Sequence, residues 1–421
     1  MTQSIDSASP MQLGNGLEQL ARTPISAVPF VSEEFFDRER AIWKDSWLML
    51  GREADVRDPG QYITFDLKVL NTSVIVIRTH DNILRAFHNI CPHRAGRLLW
   101  EPCGTAASIV CRYHGWSYGL DGSFRGAPEP QLFDNLKADE RYNLRALVVN
   151  TWGGFLFVNL NPNPTYTLPA YLSGLPTNLG TYLMDPSWHW YTGYQSTFDA
   201  NWKDLMNVQH EGYHASHIHK KTLGVDFSPE DCRNTVFPDS PGVCSLLQVL
   251  RPVMSKEFLE RMSVVQKLSL EYGTTSNWVN QDTSRAAELV DAVNHTASER
   301  WVFDCYTFYP NLLLFVGTDV LSVMRVWPLS THQADWEWDW YFKDELQNFG
   351  NLFNREHGRL ATRNALSEDW PVCEQAHRNL RSGILEETPI ASDMEATVRA
   401  LYEKVLAHMG LTEAELRHVG K

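Results

Sequence analysis

CPHRAG at residues 91–96 and CRYHGWSYGLDGSFRGAP at residues 111–128 put one cysteine and one histidine into each of two short loops. Cys91 and His93 lie in the first loop, Cys111 and His114 in the second. Two thiols and two imidazoles form a zinc site of the Cys₂His₂ kind, or hold a [2Fe-2S] cluster with both thiolates on one iron and both imidazoles on the other. Zinc fingers join Cys to Cys and His to His close to a helix. Here each loop supplies one of each kind, in β-type text, and that mixed order suits a cluster whose two irons differ in ligand.

The text around these loops is short β-type runs broken by turns: YITFDL (62–67), SVIVIRT (73–79), ILRAFHNI (83–90) and LVVNTWGGFLFVNL (147–160), with turn chemistry at Asp58-Pro59-Gly60 and Asp121-Gly122. Upstream, residues 1 to about 30 are polar and carry Pro10, Gly14, Gly16, Pro24 and Pro29, which predicts a loosely attached arm with at most one short helix. Ser32 followed by Glu33 and Glu34 looks like a helix start, and Phe36, Trp43 and Trp47 continue at helical spacing for about four turns. Downstream, NPNPTYTLPAYL (161–172) is the expected domain boundary, because proline fixes φ and ends a ladder. Beyond it, LSVMRVWP (321–328) and ADWEWDWYF (334–342) read as strands, the second with Trp336, Trp338 and Trp340 on one face, and the text from about residue 343 onward is mostly helical. The fold class is therefore α+β, with an arm and helix over residues 1–45 packing on the larger domain, a small all-β domain over 46–161, and a larger domain over 162–421 with an antiparallel sheet flanked by helices.

A chain of 421 residues with 43% hydrophobic and 21% charged residues folds as more than one domain. Its formal charge of -14 argues against a non-specific binder of nucleic acid or of an anionic membrane. The N-terminal text has no basic start followed by an apolar run, and no run of about 18 apolar residues occurs, so a soluble cytoplasmic protein is expected. Seven cysteines, an odd number, fit a reducing compartment and leave thiols for metal.

HEGYHASHIH (210–219) begins with a match to H-E-x-x-H, the zinc metalloprotease pattern in which His210 and His214 bind the metal and Glu211 is the base. That reading does not explain Cys91 to His114, and the glycine of the longer metzincin pattern is missing.

CPHRAG and CRYHGWSYGLDGSFRGAP closely resemble the Rieske motifs of the oxygenase component of Rieske non-haem iron oxygenases, the ring-hydroxylating large (alpha) subunits. The resemblance runs from about Phe35 to Gly383. It implies Cys91 and Cys111 on one iron of a Rieske [2Fe-2S] cluster and His93 and His114 on the other, with Trp116 packed over it. The family's second motif, Asn-Trp-Lys, an Asn, an acid and two histidines, is matched by Asn201-Trp202-Lys203, Asn207, Glu211, His214 and His219. It implies a mononuclear Fe(II) held by His214, His219 and a distant carboxylate, for which Asp369 in SEDWPVCEQ is chosen, with Glu368 next; proximity to Pro371 makes a helix cap the competing role for Asp369. His210 and His217 become surface or supporting histidines, and Asn207 and Tyr213 line or support the site.

Most family members carry Asp where this chain has Glu211; there it links a cluster histidine of one subunit to an iron histidine of the next. Glu keeps the acceptor chemistry and leaves the substrate class open, since some members acting on quaternary ammonium compounds also have Glu. The resemblance implies electrons from NAD(P)H through a flavin reductase or ferredoxin, O2 as co-substrate, a homotrimer with or without a small beta subunit, and mono- or dioxygenation of an aromatic or xenobiotic molecule. N- or O-dealkylation and quaternary ammonium oxidation are the alternatives, and a Rieske electron carrier is the alternative of another class. YPNLLLFVG (309–317) resembles the strand from which pocket walls arise, and Arg94, Arg97 and Arg112 are a candidate basic patch for an acidic ferredoxin.

Overall fold

The computed structural model describes residues 16–134, 136, 140–176, 178–219, 222, 228–250, 260–272, 293–343 and 348–416. The chain divides into two compact units: Phe36–Leu172 with Trp327–Leu329, and Met1–Phe35 with Ser173–Val326 and Ser330–Lys421. The sequence places the boundary at 161; the β unit runs on through the proline-rich segment, where Leu168 and Tyr171 are buried and Tyr166 O accepts from Trp47 Nε1 at 2.9 Å.

Helix α1 (Glu33–Asp45) starts where Ser32 Oγ accepts from Phe35 N–H at 3.2 Å and buries Phe35, Ile42 and Trp43 completely; from Phe36 on it belongs to the β unit, where the sequence reading assigned residues 1–45 to the larger domain. A seven-stranded antiparallel sheet follows, built from β1 (Leu48–Arg52), β2 (Gln61–Leu67), β3 (Thr72–Arg78), β4 (Leu84–His88), β5 (Cys103–Thr105), β9 (Ala146–Trp152) and β10 (Phe155–Asn159), in the order β1-β10-β9-β4-β3-β2-β5. Valine and isoleucine runs pack well on pleated surfaces, and β3 is the core strand: Val74, Ile75, Val76 and Ile77 are at most 1% exposed. A separate three-stranded sheet, β6 (Ile109–Val110), β7 (Ser117–Tyr118) and β8 (Phe124–Gly126), carries the second Cys-His loop between β6 and β7.

The larger unit holds a second seven-stranded antiparallel sheet: β11 (Trp188–Phe198), β12 (Cys232–Val236), β13 (Val243–Leu250), β14 (Trp301–Phe308), β15 (Leu312–Val316), β16 (Val320–Ser330) and β17 (Gln333–Lys343), ordered β11-β17-β16-β15-β14-β13-β12. The alternation in ADWEWDWYF is realised in β17, where Trp336, Trp338 and Trp340 are 5%, 2% and 7% exposed. Helices α2 (Trp202–Gln209), α3 (Ala215–Ile218), α4 (Phe349–Leu380) and α5 (Ala396–His408) accompany this sheet. The α+β class holds. Within the described part of the N-terminal arm there are two short helical turns, Leu17–Gln19 and Val28–Val31, where at most one was expected; residues 1–15 lie outside the described residues. No helix among the described residues is long and apolar enough to cross a membrane.

Candidate functional site

The two Cys-His loops are folded alike. In the first, Cys91 N–H donates to Gly96 O at 2.8 Å and Ala95 N–H to Cys91 O at 2.9 Å; in the second, Cys111 N–H donates to Trp116 O and Gly115 N–H to Cys111 O, both at 2.9 Å. Each loop closes through a left-handed residue, Ala95 at φ 56° and Gly115 at φ 69°. Glycine takes that region without strain, and a Cβ on Gly115 would also lie 2.8 Å from Pro128 Cγ. The loops bring the His93 and His114 rings to 4.7 Å between centroids, and Trp116 stacks on His93 at 4.7 Å with 2° between planes. Both cysteines are buried and free, and Tyr118 Oη lies 3.1 Å from Cys91 Sγ. Burial pushes the Cys91 thiol up, against the bond from Tyr118, so a bound cation is needed to hold a thiolate there. His93 Nδ1 is buried with no hydrogen-bond partner, the signature of an imidazole nitrogen left for a metal. These features fit a [2Fe-2S] ligand set.

The second constellation grows from α2. Asn201 caps this helix by accepting from Lys203 N–H at 3.1 Å, while its Nδ2 donates to Phe30 O at 3.2 Å and Thr331 O at 2.8 Å. Lys203 is 1% exposed, with its ammonium 4.8 Å from the Trp202 ring centroid and 5.6 Å from that of Phe30. The Asn-Trp-Lys text is thus an anchor for the helix that delivers the next segment.

After Gln209 the chain leaves the helix. His210 is fully buried, its Nδ1 lies 3.1 Å from Thr307 Oγ1, and its carbonyl accepts from Thr397 Oγ1 at 2.6 Å. Burial lowers its pKa to about 3, so it is neutral. Of the two roles expected for His210, surface or supporting, its burial leaves the supporting one, and because it does not share a helix face with His214, HEGYH is not a zincin helix.

His214 and His219 cap the two ends of α3, with ring centroids 5.3 Å apart at 79°. Glu211 Oε1 is bonded to His214 Nδ1, and Glu368 Oε2 lies 3.1 Å from His219 Nδ1. Both Nδ1 atoms therefore carry the proton, and both Nε2 lone pairs point inward. They face Asp369 Oδ1, which is 3.2 Å from His219 Nε2 and 3.7 Å from His214 Nε2, is buried, and accepts no hydrogen bond. Three acceptors within 4.8 Å of one another could hold a cation between them, and two imidazoles with one carboxylate suit Fe(II). Without that cation, burial pushes the Asp369 carboxyl up to about 7 despite the neighbouring His214. Burial also lowers His219, while at His214 burial, the largest single influence, is outweighed by the Glu211 bond together with the charges of Glu211, Asp369 and Glu395, which leave the ring raised.

Asp369 sits inside the 32-residue helix α4, which runs on through Pro371, so the helix-cap alternative is corrected. Glu368 points to the far side of His219 and away from the point where the three acceptors meet. A cavity of about 150 Å³ opens beside the cluster, lined by Val302, Phe303, Phe315, Met324, Trp338 and Trp340 among others, and reaching Glu211, His214, His219 and Asp369. Phe315 and Gly317 come from the YPNLLLFVG segment. Neither Asn207 nor Tyr213 lines this cavity, and Tyr213 is 55% exposed. Lining residues that the sequence did not mark include Gln209 and Cys232. Of the three arginines near the β-unit loops, Arg97 pairs with Asp66 at 2.8 Å and Arg112 faces Glu101 at 3.9 Å, while Arg94 lies over the Tyr113 ring.

A cysteine-histidine ligand set on a β unit and a two-histidine, one-carboxylate cluster beside an apolar cavity define a protein built for two metal centres. The chain belongs to the ring-hydroxylating alpha-subunit family: the model of that family's catalytic domain matches residues 183–411, and a Rieske [2Fe-2S] domain model matches residues 46–137. Over 393 residues it is 29% identical to the glycine betaine monooxygenase oxygenase subunit of Pseudomonas aeruginosa, covering 90% of this chain and 88% of that protein. It is 32% identical over 198 residues to the carnitine monooxygenase oxygenase subunit of Acinetobacter baumannii, a match covering 45% of this chain and about half, 51%, of that relative's length. Among solved structures, a quaternary ammonium Rieske monooxygenase superposes with a TM-score of 0.72 at 21% identity, over 95% of this chain and 100% of that one. Naphthalene 1,2-dioxygenase superposes with a TM-score of 0.67 at 18% identity, over 94% of each chain, so both share the fold.

Proposed function

We propose that this chain is the oxygenase component of a Rieske non-haem iron oxygenase, taking O2 and electrons that originate in NAD(P)H and arrive through a ferredoxin or flavin reductase, and oxygenating a small, mainly apolar molecule. The observation that carries this is the meeting of His214 Nε2, His219 Nε2 and Asp369 Oδ1, three acceptors with no donor, at the wall of an apolar cavity. Cys91, Cys111, His93 and His114 hold the cluster. A ferrous ion on the other three residues supplies O2 binding and activation. Glu211 fixes the tautomer of His214 and, in a head-to-tail trimer, links it to a cluster histidine of the neighbouring subunit. A reducing cytoplasm suits the seven free thiols.

The cavity favours an uncharged aromatic or xenobiotic substrate, because its walls are aromatic and aliphatic and no Lys or Arg lines it among the described residues. Glycine betaine and carnitine each carry a carboxylate that such walls leave unpaired. A second reading, oxidation of a quaternary ammonium compound, is favoured by the relatives' names and by Trp338 and Trp340, whose ring faces attract an onium group.

The test is turnover of the reductase-supplied protein under ¹⁸O-labelled O2 with aromatic acids, polycyclic arenes, N-alkyl anilides and betaines. Label in an arene product, or anilide dealkylation, supports the first reading. Label in betaine products alone selects the second, and oxidation of none, with electrons reaching the cluster, contradicts both.

A further inference from the structure

Helix α4 brings two consecutive carboxylates to one imidazole. Asp369 Oδ1 lies 3.2 Å from His219 Nε2, and Glu368 Oε2 lies 3.1 Å from His219 Nδ1. Neighbouring residues on a helix point about 100° apart, so the pair straddles the ring, one carboxylate on each nitrogen. Glu368 is not free to swing: its Oε2 also accepts from Thr222 Oγ1 at 2.6 Å, and its side chain is 27% exposed.

The bond from His219 has a chemical consequence. Nδ1 must carry the proton in order to donate, which leaves Nε2 unprotonated and aimed at Asp369. In the other tautomer Nε2–H would donate to Asp369, the carboxylate would be satisfied, and nothing would be left for a metal. His214 is held the same way by Glu211, but the two pairs differ. Glu211 comes from the same loop as its histidine and, in the proposed function, also serves a neighbouring subunit, whereas Glu368 reaches His219 from a distant helix and is braced by Thr222.

We propose that Glu368 is a positioning residue of the mononuclear site, holding His219 in its metal-binding tautomer and orientation, with Thr222 as its brace. The Glu368-Asp369 pair is then one device: the second residue is a ligand, and the first aims another ligand. This rests on the reading of His214, His219 and Asp369 as the metal ligands. Outer hydrogen bonds of this kind raise ligand basicity, and losing one typically weakens metal affinity by roughly 10- to 100-fold.

The experiment is a chelator competition for the mononuclear Fe(II) in the full-length cluster-loaded protein, followed by the iron-nitrosyl signal, with the cluster spectrum as the control for folding. Glu368→Leu should weaken iron binding by roughly 10- to 100-fold with the cluster spectrum unchanged. Glu368→Gln, whose amide oxygen still accepts from Nδ1–H, should stay within about threefold of wild type, and Thr222→Val should fall between the two. Wild-type affinity in Glu368→Leu overturns the proposal. So does a Gln variant as weak as Leu, because charge and not orientation would then be at work. Should Glu368→Leu fail to fold, Glu368→Gln and Thr222→Val still decide. A wild-type protein that binds no mononuclear iron at all would instead contradict the ligand assignment.

Discussion

Asp369 is where the lone pairs fail to balance. It is 1% exposed, its Oδ1 accepts nothing, and two imidazole lone pairs face it, so ferrous iron should relieve the site and its removal should leave a charge problem. Asp369→Ala should lower the iron content from about three to about two atoms per chain, with the cluster spectrum intact, measured by elemental analysis and optical absorption. Glu211→Gln should behave differently: its amide oxygen still accepts from His214, so both metal centres stay, while substrate turnover falls at least about tenfold if Glu211 links to a neighbouring subunit's cluster as in the proposed head-to-tail trimer. At this scale the sequence was informative wherever the proposed ligands lie close together. Cys91, His93, Cys111 and His114 sit in two short motifs, and His214 and His219 are five residues apart. Asp369 came only through family resemblance, since nothing local marks a carboxylate that meets His219 from 150 residues away. Glu368 was considered as a ligand, because its sequence position does not show which side of an imidazole it faces.

The connection between α2 and α3 depends on close packing at Gly212. A Cβ there would lie 2.4 Å from Cys232 Sγ and 3.0 Å from Cys232 Cβ, so Gly212→Ala must displace β12 or the loop that carries Glu211 and His214. Overpacking of this kind costs about 1–3 kcal/mol. Gly212→Ala should lower the thermal midpoint and the iron content together, and adding Cys232→Ala should restore part of both, which a double-mutant cycle measures. The strands were legible because alternation survives into the fold, as in the Trp336, Trp338 and Trp340 face of β17. Helix α4 was harder to read. Pro371 looks like a stop two residues after Asp369, yet the helix continues because Cys373 and His377 are buried beyond it, and packing outweighs the one backbone bond that proline removes. The HEGYH segment shows the opposite case, since its spacing is helical and its backbone is not, in keeping with the rejection of the zincin pattern.

Across the whole molecule, stability carries the imprint of buried charge. Asp304 is fully buried on β14, accepts from Trp301 Nε1 at 2.8 Å and from Asn294 N–H at 2.9 Å, and is pushed by burial from its ordinary 3.8 up to about 6. A carboxyl raised on folding contributes stability that is fully present below its unfolded pKa and is lost as pH rises through about 6. Asp304→Asn should therefore lose less stability than wild type between about pH 4 and pH 7, a difference of up to about 3 kcal/mol read from thermal midpoints across that window. Composition and charge argued against non-specific binding of nucleic acid or of an anionic membrane, and the two metal motifs pointed to the family; the cavity could not be read from sequence, because its walls come from strands far apart in the chain. The central claim is that one chain carries both metal centres, and the electron paramagnetic resonance spectrum of the reduced protein with nitric oxide bound tests it most directly. The account predicts an iron-nitrosyl signal from the mononuclear site beside the reduced cluster signal, lost in Asp369→Ala and reshaped by any compound that enters the cavity. A cluster signal with no iron-nitrosyl signal in the iron-replete wild type would contradict it and leave an electron carrier.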